Sequence, residues 1–283
     1  MRVVVTGAAG KVGSQTVALL HDAGHEVIAT DVKANRPVPV LLREMNLLDT
    51  AAVASLMPGA DAVVHLGNHV HVRKGHRIAE TFNENVAMNM NVFQAAIDAG
   101  VKRIVFASTI QVMASESGGD APFPPYANHV ASLPLSRDNP KNPGNSYSLS
   151  KSIGESMLEQ YVVPHGLTGI ALRFPLLVGP KWFEEYRKSP IRDDWHDSRI
   201  TQAFALLATA DAATAVVACL TANLSGYHVF FPAISQVNGP LVPQAIAKWY
   251  RNVSLKRPIE QINSLVDHSH LTQATGWRPR HLL

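Results

Sequence analysis

Short runs of β-branched residues alternate with helix-length amphipathic stretches through the first two thirds of the chain. Residues 2–6 carry three consecutive valines and read as a strand buried on both faces; 11–23 have helical periodicity, with Gly24 as the stop signal. Residues 26–31 and 41–46 read as the next strands, and 49–57 as a helix closed by Pro58 and Gly59. Strands at 62–66 and 104–108 flank a long helix over 81–100. A helix over 147–163 then leads into a strand at 168–174. Strands that alternate with helices build βαβ units, so the pattern predicts an α/β fold with a doubly wound parallel sheet.

Between 115 and 146 the chain is rich in Pro, Asn and Gly, including Pro122-Phe123-Pro124-Pro125, which predicts a long irregular loop of the kind that is usually functional or mobile. Beyond 175 the pattern weakens, leaving a helix at 210–221, a strand at 227–231 and a helix at 242–250. The expected organisation is one domain over 1–175. A small C-terminal lobe over 176–283 follows, some of its segments returning to the first domain's core. No internal repeat is visible.

Composition narrows the classes. With 46% hydrophobic and 17% charged residues, the chain is expected to fold as a globular protein rather than stay disordered. A net charge of +3 without a Lys/Arg run argues against nucleic acid as a partner. No stretch approaches the roughly 20 apolar residues of a membrane helix, and Met1 to Gly7 does not read as a signal peptide. Cys219, the one cysteine, lies in an apolar run and reads as a buried thiol, compatible with a reducing compartment. A cytoplasmic protein without membrane partners is expected.

The first strand-to-helix turn reads Thr6-Gly7-Ala8-Ala9-Gly10-Lys11-Val12-Gly13. Three glycines between a strand and a helix allow a tight turn and close backbone approach to a pyrophosphate, which the helix N-terminus attracts. Asp31 ends the second strand about twenty residues on, placed to accept from ribose hydroxyls and to repel the extra phosphate of NADP. NAD is therefore expected over NADP, although Lys33 and Arg36 lie close by. Tyr147 and Lys151 stand four residues apart on a predicted helix and so share a face, where a neighbouring cation would lower the phenol pKa. The strand over 105–109 ends in the hydroxyls of Ser108 and Thr109, at the end of the sheet that borders ligands in such folds.

Taken together, these motifs resemble the extended short-chain dehydrogenase/reductases, specifically the NAD-dependent epimerase/dehydratase family. The likeness runs through nearly the whole chain and is strongest over 1–180. It also includes Val64-His65-Leu66-Gly67, Asn85-Val86, Gly154-Glu155, Leu172-Arg173, Gly179-Pro180, Asp211-Ala212-Ala213 and Gly276-Trp277-Arg278-Pro279. The resemblance implies a Rossmann domain with a small C-terminal substrate-binding lobe. Tyr147 would be the general acid/base, Lys151 would anchor the nicotinamide ribose, and Thr109 would take the family's Ser/Thr position. Gly7, Ala9, Gly10, Lys11, Val12, Gly13, Asp31, Asn46, Leu47, Leu66, Gly67, Asn68, Asn85, Ala107, Ser108, Phe174, Pro175 and Leu177 would line the cofactor. Homodimerisation through the helices near 86–99 and 150–161 is also implied.

Departures from the family narrow the chemistry. Ile110 and Gln111 stand where the dehydratases carry acidic residues, which argues against water elimination. Leu176 stands where nucleotide-sugar epimerases usually carry Asn, and the lobe is short. Weaker likenesses point to uronate dehydrogenases. The expected activity is thus hydride transfer between NAD and a small hydroxylated substrate such as a sugar or sugar acid. Epimerisation with retained cofactor and a non-catalytic dinucleotide sensor remain the alternatives. His69, Ile110, Gln111 and Arg199 are candidate substrate contacts; Arg187 and Arg192 are further candidates for holding a carboxylate. His69, His71 and His76, like His268 and His270, cluster without the spacing of a metal site, so none is expected.

Overall fold

The computed structural model describes residues 1–70, 77–114, 130–188 and 198–282; His71, His76, Arg192 and the side chain of Arg187 lie outside the described residues. Along the chain run β1 (Arg2–Thr6), α1 (Gly13–Asp22), β2 (Glu26–Asp31), β3 (Leu42–Glu44), α2 (Thr50–Leu56), β4 (Ala62–His65), α3 (Ile78–Asp98) and β5 (Arg103–Thr109). After β6 (Ser132–Leu133) come α4 (Ser146–His165), β7 (Thr168–Phe174), β8 (Leu176–Val178), α5 (Pro180–Lys188) and α6 (Ser198–Thr201). The chain continues through β9 (Ala205–Ala208), α7 (Thr209–Thr221), β10 (Tyr227–Phe230), β11 (Ile234–Ser235), α8 (Leu241–Trp249), β12 (Ser254–Leu255) and α9 (Ser269–Thr275).

Seven strands in the order β10-β7-β5-β4-β1-β2-β3 form one sheet, and every pairing in it is parallel. Its strands are apolar on both sides because both faces are covered. Val3, Val5, Val64, Val105, Ile170 and Leu172 face a core that includes Val17 and Leu20 of α1 and Val216 of α7. The alternate residues Val4, Val63, Ile104, Phe106 and Ala171 face a second core with Val92 and Phe93 of α3 and Leu158 of α4. Each such side chain contributes about 1.5–3 kcal/mol on burial, so the run of valines in β1 alone commits it to the centre of the sheet.

The strand order switches between β1 and β4, and the C-terminal third of the chain divides. β10 adds to the sheet edge beside β7, α7 packs into the core next to α1, and Trp277, just beyond α9, is buried there with its indole donating to Thr214 Oγ1 at 3.0 Å. The rest forms a lobe. β8 pairs in parallel with β9, and β9 pairs antiparallel with β11. A separate core of Ile110, Met113, Leu133, Phe204, Val242, Ile246 and Leu265 holds α8 against the segment that follows β5.

The sequence pattern missed the lobe's short elements. β6, β8, β9, β11 and β12 run two to four residues each, too short to show alternation, and β6 interrupts what reads as irregular loop. Helix α1 starts at Gly13 rather than residue 11, because the glycine turn occupies Gly10 to Val12. Among the described residues no helix is long and apolar enough to cross a membrane.

Candidate active site

The first turn is built backbone against backbone. Gly7 has φ +66°, and a Cβ there would sit 2.8 Å from the carbonyl carbon of Leu66 and the nitrogen of Gly67. A Cβ on Gly13 would collide with the Gly7 carbonyl oxygen. Only glycine lets the ends of β1 and β4 approach this closely while α1 starts directly above them. The N–H of Ala9 donates to Asp31 Oδ2 at 3.0 Å and that of Val32 to Oδ1 at 2.8 Å, so the glycine loop holds the carboxylate at the end of β2. Each carboxylate oxygen keeps a second lone pair for an incoming hydroxyl.

Around this turn, Leu47 is buried with its side chain against Gly67, and its carbonyl accepts from Asn91. Asn46 folds its side chain back onto the Leu48 N–H. Lys11 is exposed, whereas Val12 belongs to the core. Beneath the turn runs a buried relay that sequence reasoning missed. Gly67 N–H donates to Thr6 Oγ1 at 3.3 Å, Thr6 Oγ1 lies 2.7 Å from His65 Nδ1, and His65 Nε2 lies 3.0 Å from Asn89 Oδ1. Burial, with Lys151 nearby, drives His65 down to about 3 against the Asn89 hydrogen bond, so its imidazole is neutral. The chain of bonds is satisfied with the proton on Nε2 and Nδ1 accepting from Thr6.

Thr109, Tyr147 and Lys151, the three residues expected to act in catalysis, come together where β5 ends and α4 begins. Asn145 caps α4, accepting from Ser148 N–H at 2.8 Å while Ser148 Oγ accepts from Asn145 N–H at 3.1 Å. This reciprocal cap fixes the first helical turn, from which Tyr147 projects. A hydrogen bond links Tyr147 to Thr109; burial pushes the phenol up to about 12, and Thr109 pulls the other way. One turn on, Lys151 is buried, with Nζ donating to Asn68 Oδ1 and to the carbonyl of Ala107, both at 2.6 Å. Its ammonium also lies 4.7 Å from the centre of the Phe106 ring and 5.9 Å from that of Tyr147. Burial lowers its pKa to about 7.

Other expected contacts are placed as follows. Asn85 is fully buried and clamps the loop after β4, accepting from His69 N–H at 2.8 Å and donating to the His69 carbonyl at 2.9 Å. The His69 imidazole pairs with Glu84 at 2.9 Å. Gln111 accepts from Asn145 Nδ2 at 3.0 Å, joining the end of β5 to the helix cap. Phe174 and Pro175 are buried directly after the Arg173 position, and Leu177 is half-buried. The Ile110 side chain is fully buried in the lobe's core, and Arg199 stands over the Tyr186 ring at 5.8 Å. Among the described residues no group of His, Cys, Asp and Glu gathers closely enough to hold a metal.

Ser108 turns away from the glycine loop: its hydroxyl donates to Glu155 Oε1 at 2.7 Å. Glu155, itself fully buried, takes a bidentate pair from Arg173 Nε and Nη2, both at 2.8 Å, and Lys141 at 3.3 Å. Burial alone would raise this carboxyl, but Arg173, Ser108 and Lys141 hold it below the ordinary carboxylate range. One carboxylate thereby ties α4 to the ends of β5 and β7. Only the Asn145/Ser148 cap had a local signal; the His65 relay and the Glu155 cluster join residues far apart in sequence.

The chain is 29% identical over 181 residues to UDP-glucose 4-epimerase of Azospirillum brasilense, a match covering 61% of this chain and 48% of that protein. It is 27% identical over 175 residues to uronate dehydrogenase of Pseudomonas syringae, covering 61% of this chain and 58% of the other. The chain thus spans about half the length of the curated relatives it matches. Among solved structures, that of Thermotoga maritima UDP-glucose 4-epimerase with UDP-glucose superposes with a TM-score of 0.70 at 18% identity, over 99% of this chain and 94% of that one. At that identity the likeness speaks for the fold. The family model for the NAD dependent epimerase/dehydratase family matches residues 3–229, and the chain belongs to that family.

Proposed function

We propose that the protein is an NAD-dependent oxidoreductase that transfers hydride between NAD and a small hydroxylated substrate such as a sugar or sugar acid. The observation that carries this reading is the grouping of Thr109, Tyr147 and Lys151, with Tyr147 bonded to Thr109 and Lys151 one turn along the same helix. The residues around the first turn fit the dinucleotide. Gly7 and Gly13 leave no side chain between α1 and the backbone of β4, the start of α1 favours a pyrophosphate, and Asp31 offers its carboxylate to the ribose. A carboxylate at that place favours NAD over NADP. When bound, NAD would supply the hydride acceptor and a positive ring near the phenol.

The chain's own residues do the proton work. In the oxidative direction Tyr147 takes the proton of the substrate hydroxyl, and Thr109 turns its one hydroxyl proton from the phenol to that oxygen to position it. In its protonated form Lys151, kept beside the Tyr147 ring, favours the phenolate by charge. Reduction runs the same transfers backwards.

Epimerisation with retained cofactor is the second reading, favoured by the likeness to the Azospirillum epimerase. Against it, Leu176 offers an exposed apolar side chain where the nucleotide-sugar epimerases usually carry Asn. A dinucleotide sensor would not need the Tyr147–Lys151 pair. Steady NADH formation from aldoses or uronic acids supports the dehydrogenase; sugar interconversion without net NADH supports the epimerase.

A homodimer built on α3 and α4 belongs to the same proposal. A groove of about 370 Å³ runs along α4, lined by Ser152, Ile153, Ser156, Met157, Gln160 and Tyr161. Light scattering at twice the chain's mass supports it. A cytoplasmic location belongs to the proposal too, is compatible with the one buried thiol of Cys219, and is tested by cell fractionation.

A further inference from the structure

We propose that Asn68 is a positioning residue for Lys151: its amide oxygen holds the ammonium at the catalytic face of α4. The inference rests on the proposed function for its meaning, but its geometry stands separately. An ammonium has three donors and, once buried, needs acceptors for them. Lys151 finds two, each at 2.6 Å. The first, the Ala107 carbonyl, belongs to β5. The second, Asn68 Oδ1, is the side-chain acceptor that Lys151 finds among the described residues.

Asn68 is turned to present oxygen rather than nitrogen. Its Nδ2 donates to the Asn85 carbonyl at 3.4 Å, which leaves Oδ1 for Lys151. The loop that carries Asn68 is pinned in turn, because Asn85 grips both backbone groups of His69 and donates to Ser150 Oγ at 3.3 Å. Ser150 Oγ donates to the Tyr147 carbonyl at 2.7 Å. One network thus joins α3, the loop after β4 and the first turn of α4, and it ends on the ammonium.

The charged and titratable groups around Lys151 leave this role open to a neutral amide. Tyr147 lies on its own helix and His65, on β4, is neutral. Glu155, one turn further along α4, is committed to Arg173, Ser108 and Lys141. Glu84 of α3 is paired with His69.

The test is an NMR titration of the Lys151 side chain in the intact protein, its resonance assigned by loss in Lys151→Arg, in wild type, Asn68→Asp and Asn68→Ala. Asn68→Asp places a carboxylate on the ammonium and is expected to raise the Lys151 titration by a unit or more; Asn68→Ala is expected to lower it. In turnover, Asn68→Ala is expected to lose about tenfold in kcat, the scale of a buried charged hydrogen bond, and to raise KM for NAD as well, since Lys151 and Asn68 both face the expected cofactor. A Lys151 titration unmoved in both variants overturns the inference, whatever the activity shows. Shifted titrations in a protein that transfers no hydride leave the Asn68 role standing and count against the proposed function alone.

Discussion

The end of the parallel sheet and the C-terminal lobe solve the problem of buried backbone and side chains in opposite ways. At the sheet's end the buried groups are polar and paired: Thr6 with His65 and Asn89, Ser108 and Arg173 with Glu155, Lys151 with Asn68 and Ala107. In the lobe apolar side chains make up most of the core, its buried polar groups such as Ser235 and Tyr250 bond mainly to backbone, and the strands that frame it are two to four residues long. Polar networks fix positions to a fraction of an ångström but lose heavily when one partner is removed. Apolar cores tolerate rearrangement as long as volume is kept. The proposed function would place its chemistry on the polar, paired half and its substrate beside the apolar one.

The largest expected effect isolates chemistry from stability. Tyr147→Phe is expected to lower kcat by about 10²–10⁴-fold, the range of general acid–base catalysis, while NAD affinity and the melting temperature stay near wild type. Steady-state kinetics beside calorimetry check this. Next comes the buried charge cluster. Glu155→Gln leaves the Arg173 cation without its carboxylate and is expected to destabilise the fold by about 3–5 kcal/mol in denaturant unfolding, the scale of one lost partner in a buried pair.

A smaller effect appears in pH dependence. The Lys151 pKa is lowered from 10.5 to about 7 by burial, so between those values the unfolded chain binds a proton that the folded one does not. Stability therefore rises with pH across that window, relative to a chain without the group. The difference in unfolding free energy between wild type and Lys151→Met is expected to grow in favour of wild type from pH 7 to pH 10. A flat difference would show that Lys151 is not held in an environment that disfavours its charge.

The smallest expected effect lies in the lobe. Ala203 and Phe204 both have φ 54°, a left-handed conformation that a Cβ disfavours by roughly 1–2 kcal/mol. Ala203→Gly is expected to raise stability by up to about 1 kcal/mol without changing kcat, measured by denaturant unfolding. A large change in kcat would mean that this turn is coupled to the site.

The two regions were not equally legible. The sheet was readable because parallel strands buried on both faces show as valine-rich runs, and Gly7, Gly10, Gly13 and the Tyr147/Lys151 spacing act over less than two helical turns. The turn at Ala203 and Phe204 carries no glycine to announce it, and β8 and β9 are too short to alternate. At the site, what was missed is long-range. Asn68 and Lys151 lie 83 residues apart, and Ser108 and Glu155 lie 47 apart, so no local spacing links them. The resemblance implies Ser108 as a cofactor neighbour, and the structure turns its side chain by the pleat to the face opposite Thr109, onto Glu155.

The most direct test of the central claim follows reduced nicotinamide by absorbance, with NAD, a panel of aldoses and uronic acids, and wild type beside Tyr147→Phe. Sustained NADH formation by wild type with one substrate class, lost in Tyr147→Phe, is the predicted result. NADH formation that survives Tyr147→Phe, or bound NAD with no net NADH across the panel, would contradict it.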